Sequence, residues 1–169
     1  MLVQGARSQG LRPTSIDTRL GFIVGGLSAG GATAAVIGAI SGAKLAGVEE
    51  FAGLVPLRGT IRGIFSGIPF LATEAMLPAQ YRDMLKSREE NSDTVGDAMR
   101  QELEPYLGVH SPWFSPLNLD ISSLRTIQHH PKIFIYGGQL DPFRDDSVIY
   151  AKWLKQLSGL QVRAVMLEG

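Results

Sequence analysis

Residues 25–31, with the sequence GGLSAGG, constrain the fold of this chain more than any other segment. They directly follow residues 21–24, a short apolar run rich in β-branched side chains that is typical of a buried strand. They directly precede residues 32–40, which are small and apolar and predict a helix packed on all sides. A sharp glycine-rich turn must therefore join a strand to a helix, with Ser28 at its centre.

This turn fits the pattern G-x-S-x-G, and its strand–turn–helix context is that of a nucleophile elbow. Such a turn forces Ser28 into a strained backbone conformation. The positions two before and two after the serine, Gly26 and Gly30, must hold small residues because we expect neighbouring backbone to pass close to both. The start of the following helix directs free N–H groups at the serine, and the amide of Ala29 would be one oxyanion donor. The pattern therefore predicts Ser28 as a nucleophile.

Two other interpretations of this segment stay open. Residues 21–43 carry no charge over a length that could span a bilayer, which would make a membrane helix. Seven glycines in that stretch and the lack of a leucine-rich character argue against such a helix. A phosphate-binding loop would also use glycines after a strand. The spacing fits neither G-x-G-x-x-G nor a P-loop, and no lysine follows directly, which argues against phosphate binding.

The rest of the chain alternates between apolar runs and helical patterns. Residues 53–71 predict a strand with irregular ends, residues 132–136 a third strand and residues 162–167 a last strand. The helix predicted after Asp145 has an apolar stripe formed by Tyr150, Trp153, Leu154 and Leu157. Residues 78–112 are richer in charge and include a predicted surface helix with the stripe Val95, Met99 and Leu103. Strands separated by long crossovers predict an α/β fold, with a mainly parallel sheet flanked by helices.

Composition narrows the classes of function. The 169 residues suit one domain, and a hydrophobic content of 44% is enough for a core. The absence of cysteine excludes a disulfide framework, a thiolate metal site and a cysteine nucleophile. Sixteen basic and sixteen acidic residues give a net charge of zero, which does not indicate a nucleic-acid partner, and no ligand cluster indicates a metal or other cofactor. Residues 1–20 lack the apolar core of a secretory signal, so we expect a cytoplasmic location.

A serine nucleophile requires a base, and the base requires an orienting carboxylate. Asp141 is the candidate acid because it lies just past the predicted strand that ends at Tyr136. Functional side chains of parallel sheets collect at that carboxyl edge. A turn residue before Pro142 is the alternative for Asp141. Asp145 and Asp146 precede the next helix, and we expect them to cap it or to complement its dipole.

Three segments together resemble the hormone-sensitive-lipase branch of the α/β-hydrolases, and its fungal esterase-like members in particular. They are residues 25–31 (GGLSAGG), 115–117 (SPL) and 141–145 (DPFRD), in this order along the chain. The resemblance covers nearly the whole chain and implies that residues 1–169 form one partial domain, the C-terminal part of an α/β-hydrolase fold. It implies Ser28 as the nucleophile, Asp141 as the triad acid and a small-molecule ester as the substrate, with no cofactor.

The resemblance also implies a cap over the acyl pocket. A helical cap-like insertion would occupy about residues 78–112. Trp113 and Phe114 follow it directly and would line the pocket, with packing in the core as the alternative for both.

The chain departs from the family pattern at the base. His110, His129 and His130 all precede Asp141, whereas the family's histidine follows the acid. The family's upstream His-Gly-Gly loop, which supplies further oxyanion donors, has no counterpart in residues 1–21. We therefore expect a truncated hydrolase with negligible activity as an isolated chain.

Three functions remain at this stage. The leading prediction is a carboxylic ester hydrolase that acts through an acyl-enzyme on Ser28. The alternatives are a non-catalytic α/β-hydrolase-like binding protein and a small membrane-inserted protein built on residues 21–43. The sequence leaves the acyl and alcohol specificity and the oligomeric state open.

Overall fold

The computed structural model describes residues 17–91, 101, 104–106, 108–127 and 130–168. The strands of this part of the chain are β1 (Phe22–Leu27), β2 (Ile61–Gly67), β3 (Lys132–Gly138) and β4 (Val162–Leu167). The α-helices are α1 (Ala29–Leu45), α2 (Ala79–Arg82), α3 (Ser87–Glu90) and α4 (Arg144–Leu154). Short 3-10 helices, among them Glu49–Phe51, Pro116–Asn118 and Ile121–Leu124, connect them.

The four strands form one parallel sheet in the order β1-β2-β3-β4. The register aligns the ends of neighbouring strands, since Leu27 pairs with Gly67, Gly67 with Tyr136, and Tyr136 with Val165. The carboxyl ends of all four strands therefore meet at one edge of the sheet. The predicted α/β fold with a parallel sheet is confirmed.

Element boundaries differ from the sequence predictions mainly around glycine. Strand β1 continues beyond residue 24 to Leu27, because Gly25 and Gly26 stay extended and pair with Phe65 and Ser66 of β2. Helix α1 is longer than predicted and begins directly after Ser28. Strand β2 occupies only the later part of the predicted run over residues 53–71.

Small side chains bring α1 close to the sheet. Four of its alanines are buried, at positions 34, 35, 39 and 43. A Cβ on Gly38 would collide with the side chain of Ile64 in β2. Helix α4 packs on β3 and β4 through the predicted stripe, and Tyr150, Trp153 and Leu154 are all buried. The two helices therefore cover the face of the sheet that carries Ile64, and the core lies between them and this face.

The opposite face of the sheet carries aromatic rings. Phe65 stacks on Phe134 at 5.8 Å between ring centroids and lies 5.7 Å from Tyr136. The Arg163 guanidinium lies 5.9 Å from the Phe134 ring. On the same face, Ile23 of the edge strand β1 is 73% exposed. Apolar surface on this side is therefore accessible to solvent.

Residues 21–43 do not form one membrane helix, so that interpretation is wrong. They divide between β1 and the 17 residues of α1. None of the helices in the described ranges combines the length and the hydropathy that a bilayer crossing needs.

Part of the predicted cap lies outside the described residues. The stripe Val95, Met99 and Leu103 cannot be placed, because all three residues fall in the gaps of the described ranges. The described segments between residues 78 and 91 include the single-turn helices α2 and α3.

Candidate active site

Ser28 occupies the junction between β1 and α1. Its backbone has φ 53° and ψ −121°, a conformation that non-glycine residues rarely adopt and that stores strain. Its N–H donates to the Gly67 carbonyl at 2.9 Å, and its carbonyl accepts from the N–H of Ala32 at 3.0 Å. The turn is thus held by β2 on one side and by α1 on the other. The Ser28 side chain is exposed at the carboxyl edge of the sheet.

Crowding at the turn explains two of its glycines. A Cβ on Gly26 would lie 2.6 Å from the carbonyl carbon of Gly30, so the expectation for Gly26 is confirmed. The expectation for Gly30 is wrong, because a Cβ there would meet nothing within 4 Å outside its own helix. Gly30 lies on the exposed side of the first turn of α1. The second crowded position is instead Gly31, where a Cβ would lie 2.5 Å from the Gly67 carbonyl oxygen.

Ala29 is the first residue of α1. Amides in the first turn of a helix have no intrahelical partner, and the helix dipole places positive potential there. The Ala29 N–H therefore lies at the positive end of α1, directly after Ser28.

Asp141 lies in the turn that follows β3. Its Oδ1 atom accepts a hydrogen bond from the N–H of Phe143 at 2.7 Å. Its own N–H donates to the Gly138 carbonyl at 3.1 Å, and its backbone carbonyl accepts from the backbone N–H of Arg144 at 2.9 Å. Ser28 follows β1 and Asp141 follows β3, so both stand at the same edge of the sheet. Strands two positions apart in a sheet are separated by about 10 Å.

Asp145 lies in the first turn of α4, where its charge complements the helix dipole as expected, but its side chain does not cap the helix. One of its oxygens accepts the backbone N–H groups of Lys86 at 2.7 Å and Ser87 at 2.6 Å, in the connection between β2 and β3. Burial opposes the charge of Asp145, yet hydrogen bonds from Arg144 and from these two amides lower the pKa of its carboxyl. Its carboxylate therefore holds α3 against the start of α4.

Asp146 has a similar role, which the sequence did not indicate. Its Oδ1 accepts the N–H groups of Leu71 at 2.8 Å and Ala72 at 2.7 Å, and the side chain is fully buried. Arg88 of α3 donates to both of its oxygens, at 2.9 and 3.1 Å. Burial raises the pKa of Asp146 to about 6, against the opposing effects of Arg88 and the two amides. Both acids lie in the first turn of α4, but these partners belong to distant segments.

An apolar groove begins at Ser28 and follows α1. It has a volume of about 1290 Å³, and its lining includes Phe70, Trp113, Phe114 and Phe143. Trp113 is 56% exposed and contacts Phe51 edge-on at 6.0 Å. Phe114 contacts Phe70 edge-on at 5.5 Å. The structure thus brings both predicted pocket residues to the groove that contains Ser28.

The histidines do not complete this site within the described residues. His130 lies two residues before the start of β3, at the opposite edge of the sheet, and burial lowers its pKa. A strand of this length separates it from Ser28 by roughly 20 Å, whereas a base must come within about 3 Å. His110 is exposed, lines a second, smaller cavity, and forms no hydrogen bond with Ser28. His129 lies outside the described residues. Within the described ranges, no group of three or more ligating side chains could hold a metal ion.

The sequence pattern of the α/β-hydrolase fold matches residues 3–169, nearly the whole chain. The chain belongs to the α/β-hydrolase fold family. The resemblance drawn from the three sequence motifs is thereby confirmed for the family, and the parallel sheet with its strand–Ser28–helix junction agrees with it. A comparison with proteins of curated function gives no match.

Solved structures that are similar to this α/β-hydrolase include a cyclase and two esterases. Vibralactone cyclase is 24% identical, with a TM-score of 0.65 over 90% of this chain and 42% of its own. Carboxyl esterase 2 of the mycorrhizal fungus Tuber melanosporum is 17% identical, with a TM-score of 0.57 over 87% of this chain and 43% of its own. A thermostable esterase of Pseudomonas putida is 24% identical, with a TM-score of 0.55 over 85% and 40%. The chain therefore spans about two-fifths of the length of these structures.

Proposed function

We propose that this α/β-hydrolase has the active-site chemistry of a carboxylic ester hydrolase, with Ser28 as the nucleophile. The observation that carries the proposal is the strained backbone of Ser28 between β1 and α1, with φ 53°. A serine held in this way exposes its hydroxyl beside the first amides of a helix. Two of the similar structures described above are esterases, which supports the same reaction class.

In this proposal Ser28 Oγ attacks the ester carbonyl carbon while a base accepts its proton. The carbonyl oxygen becomes an oxyanion, to which the Ala29 amide donates. Collapse of the tetrahedral intermediate expels the alcohol and leaves an acyl group on Ser28. Water then releases the acid by the reverse sequence. Asp141 orients the imidazole of the base from the end of β3, two strands away from Ser28 at the same edge of the sheet.

Among the residues that the structure describes, no histidine stands beside Ser28 to act as the base. The sequence has no histidine after Asp141, and neither His110 nor His130 meets Ser28. Loss of a triad member leaves an enhancement of only about 10³–10⁴ over water even where the oxyanion hole is complete. We therefore propose that the isolated chain has negligible turnover of esters.

The apolar groove is the proposed acyl pocket. Its lining includes Ser28, Trp113 and Phe114, and Phe70 and Phe143 add to its aromatic wall. Aromatic and aliphatic walls favour the hydrocarbon part of an ester over a charged ligand. In the same proposal, residues 78–112 contribute the cap over this groove.

A second candidate is a non-catalytic α/β-hydrolase-like protein that binds an apolar ligand. The observation that favours it is the combination of the large groove with the lack, among the described residues, of a histidine beside Ser28. This candidate needs the groove but not the hydroxyl of Ser28.

Labelling with a fluorophosphonate separates the two candidates. The chain is incubated with the probe with and without added imidazole, which substitutes for the base, and the adduct is measured by intact mass. We expect imidazole-stimulated addition of one probe, which Ser28→Ala abolishes and Ser158→Ala, at an exposed serine, leaves unchanged. Labelling that persists in Ser28→Ala, or that never occurs with imidazole, contradicts Ser28 as the nucleophile. Ligand binding without labelling favours the second candidate.

A further inference from the structure

We infer that Arg88 is a positioning residue for Asp141. The inference rests on the proposed function, because it assigns to Arg88 the orientation of the proposed triad acid. Arg88 belongs to a charged segment, yet its side chain is only 9% exposed. Burying a guanidinium is costly unless its partners are well placed, so its surroundings call for an explanation.

The buried partners of Arg88 tie three segments together. One of its terminal nitrogens donates to both carboxylate oxygens of Asp146 and, at 2.7 Å, to the carbonyl of Ala72. Asp146 in turn accepts the amides of Leu71 and Ala72. The ion pair therefore fixes α3 and the segment after β2 to the first turn of α4. That turn begins directly after the loop that contains Asp141.

The guanidinium also holds an aromatic ring of that loop. Its central carbon lies 5.6 Å from the centre of the Phe70 ring and 5.7 Å from that of Phe143. The two rings contact each other at 5.2 Å. A planar, delocalised cation packs on aromatic rings in a way that an ammonium does not reproduce. Arg88 therefore fixes the position of Phe143.

Phe143 transmits this restraint to the carboxylate of Asp141. Its backbone N–H donates to Asp141 Oδ1 at 2.7 Å. This hydrogen bond connects the Arg88 cluster to the proposed acid. The neighbouring residue of α3 restrains the same loop independently, since Ser87 Oγ donates to the Pro142 carbonyl at 2.7 Å. Asp141 is thus held from α3 through the two residues that follow it. The orientation of Asp141 depends on Arg88, although the two side chains are not partners.

The amide proton of Phe143 reports on this arrangement by NMR. An amide that donates to a carboxylate is protected from exchange with solvent, so the exchange rate of the Phe143 amide reports on its hydrogen bond to Asp141. Arg88→Lys keeps the charge but loses the planar contact with the two rings. We expect this variant to show a displaced chemical shift of the Phe143 amide and about tenfold faster exchange of that amide, the loss typical of one net hydrogen bond. The matched control is Arg125→Lys at an exposed arginine, which should leave both signals unchanged.

A second variant keeps the test informative if Arg88→Lys fails to fold. Phe143→Leu leaves the buried ion pair in place and removes only the ring. The amide of residue 143 should then exchange faster, as in Arg88→Lys. If either folded variant loses global stability while exchange of the residue 143 amide stays at the wild-type rate, Arg88 is structural only and the inference is overturned. Fluorophosphonate labelling of Ser28 is a separate measurement. Failure to label contradicts the proposed function, whereas an unchanged residue 143 amide contradicts the positioning role.

Discussion

The N–H of Ser28 donates to the carbonyl of Gly67 at 2.9 Å, which ties the strained turn to the last residue of β2. The same carbonyl oxygen is the atom that a Cβ on Gly31 would approach to 2.5 Å. One backbone oxygen thus sets both the conformation of the serine and the size limit on the helix that follows it.

Alanine substitutions at Gly31 and Gly30 should therefore have different effects on the free energy of unfolding. Gly31→Ala forces α1 away from β2, and we expect it to lower the free energy of unfolding by about 1–3 kcal/mol, the usual cost of overpacking. Gly30→Ala meets nothing and removes a flexible residue from a helix, so it should be neutral or stabilising by up to about 1 kcal/mol. Chemical denaturation of the two variants measures the difference. Equal losses of stability would show that the crowding at Gly67 does not govern this turn.

Asp146 should give the stability of the fold a particular dependence on pH. Its pKa is raised to about 6 in the folded chain, above its ordinary value of 3.8. Folding therefore favours the protonated acid, and this contribution is fully present below pH 3.8 and is lost as the pH rises through about 6. We expect a loss of about 3 kcal/mol over this window, from about 1.36 kcal/mol for each unit of pKa.

Asp146→Asn isolates that contribution, because the amide oxygen can still accept from Leu71 and Ala72. The difference in free energy of unfolding between wild type and variant should change between pH 4 and pH 6 and be flat above that range. Exposed carboxylates titrate in both proteins and cancel in the difference. A difference that is constant with pH would mean that burial does not shift this acid.

Two substitutions of Asp141 should show whether its turn depends on the side-chain hydrogen bond or on the negative charge. Asp141→Ala removes the acceptor for the Phe143 amide and should cost about 1 kcal/mol of stability. Asp141→Asn keeps a side-chain oxygen for the same turn and should change stability by less than about 0.5 kcal/mol. Thermal or chemical unfolding measures both. If the two variants lose the same stability, the carboxylate charge rather than the hydrogen bond holds the loop.

Trp113 should report on occupation of the groove. It is one of two tryptophans, and the other, Trp153, is only 3% exposed in the core. Octanoate, an apolar carboxylate product analogue, should shift the tryptophan emission to shorter wavelength as water leaves the exposed indole. Trp113→Phe should abolish the shift and keep the fold. A shift that survives in this variant places the ligand elsewhere.

Periodic patterns predicted the regular elements well. Strand β4 and the buried stripe of α4 follow from alternation and helical spacing, which are local properties of the chain. The extension of β1 to Leu27 was missed because Gly25 and Gly26 carry no side chains that mark a strand. Their conformation comes from pairing with β2, a partner about forty residues away along the chain.

The site was predictable in part for the same reason. The turn around Ser28 is encoded in a few consecutive residues, so its position and strain could be foreseen. The burial of Arg88 could not be foreseen, because its partner Asp146 is 58 residues away and a charged segment usually indicates a solvated surface. The choice between Gly30 and Gly31 likewise depends on how closely α1 approaches β2, which only the assembled sheet defines.

The aromatic face of the sheet bears on the colloidal behaviour of the chain. Ile23 is exposed there beside the rings of Phe65, Phe134 and Tyr136. With sixteen positive and sixteen negative residues, no net electrostatic repulsion keeps two copies apart at neutral pH. Exposed apolar surface without long-range electrostatic repulsion favours self-association and precipitation as the protein concentration rises. We therefore expect the exposed apolar side chains of this face to lower the solubility of the chain, whereas the opposite face buries the core.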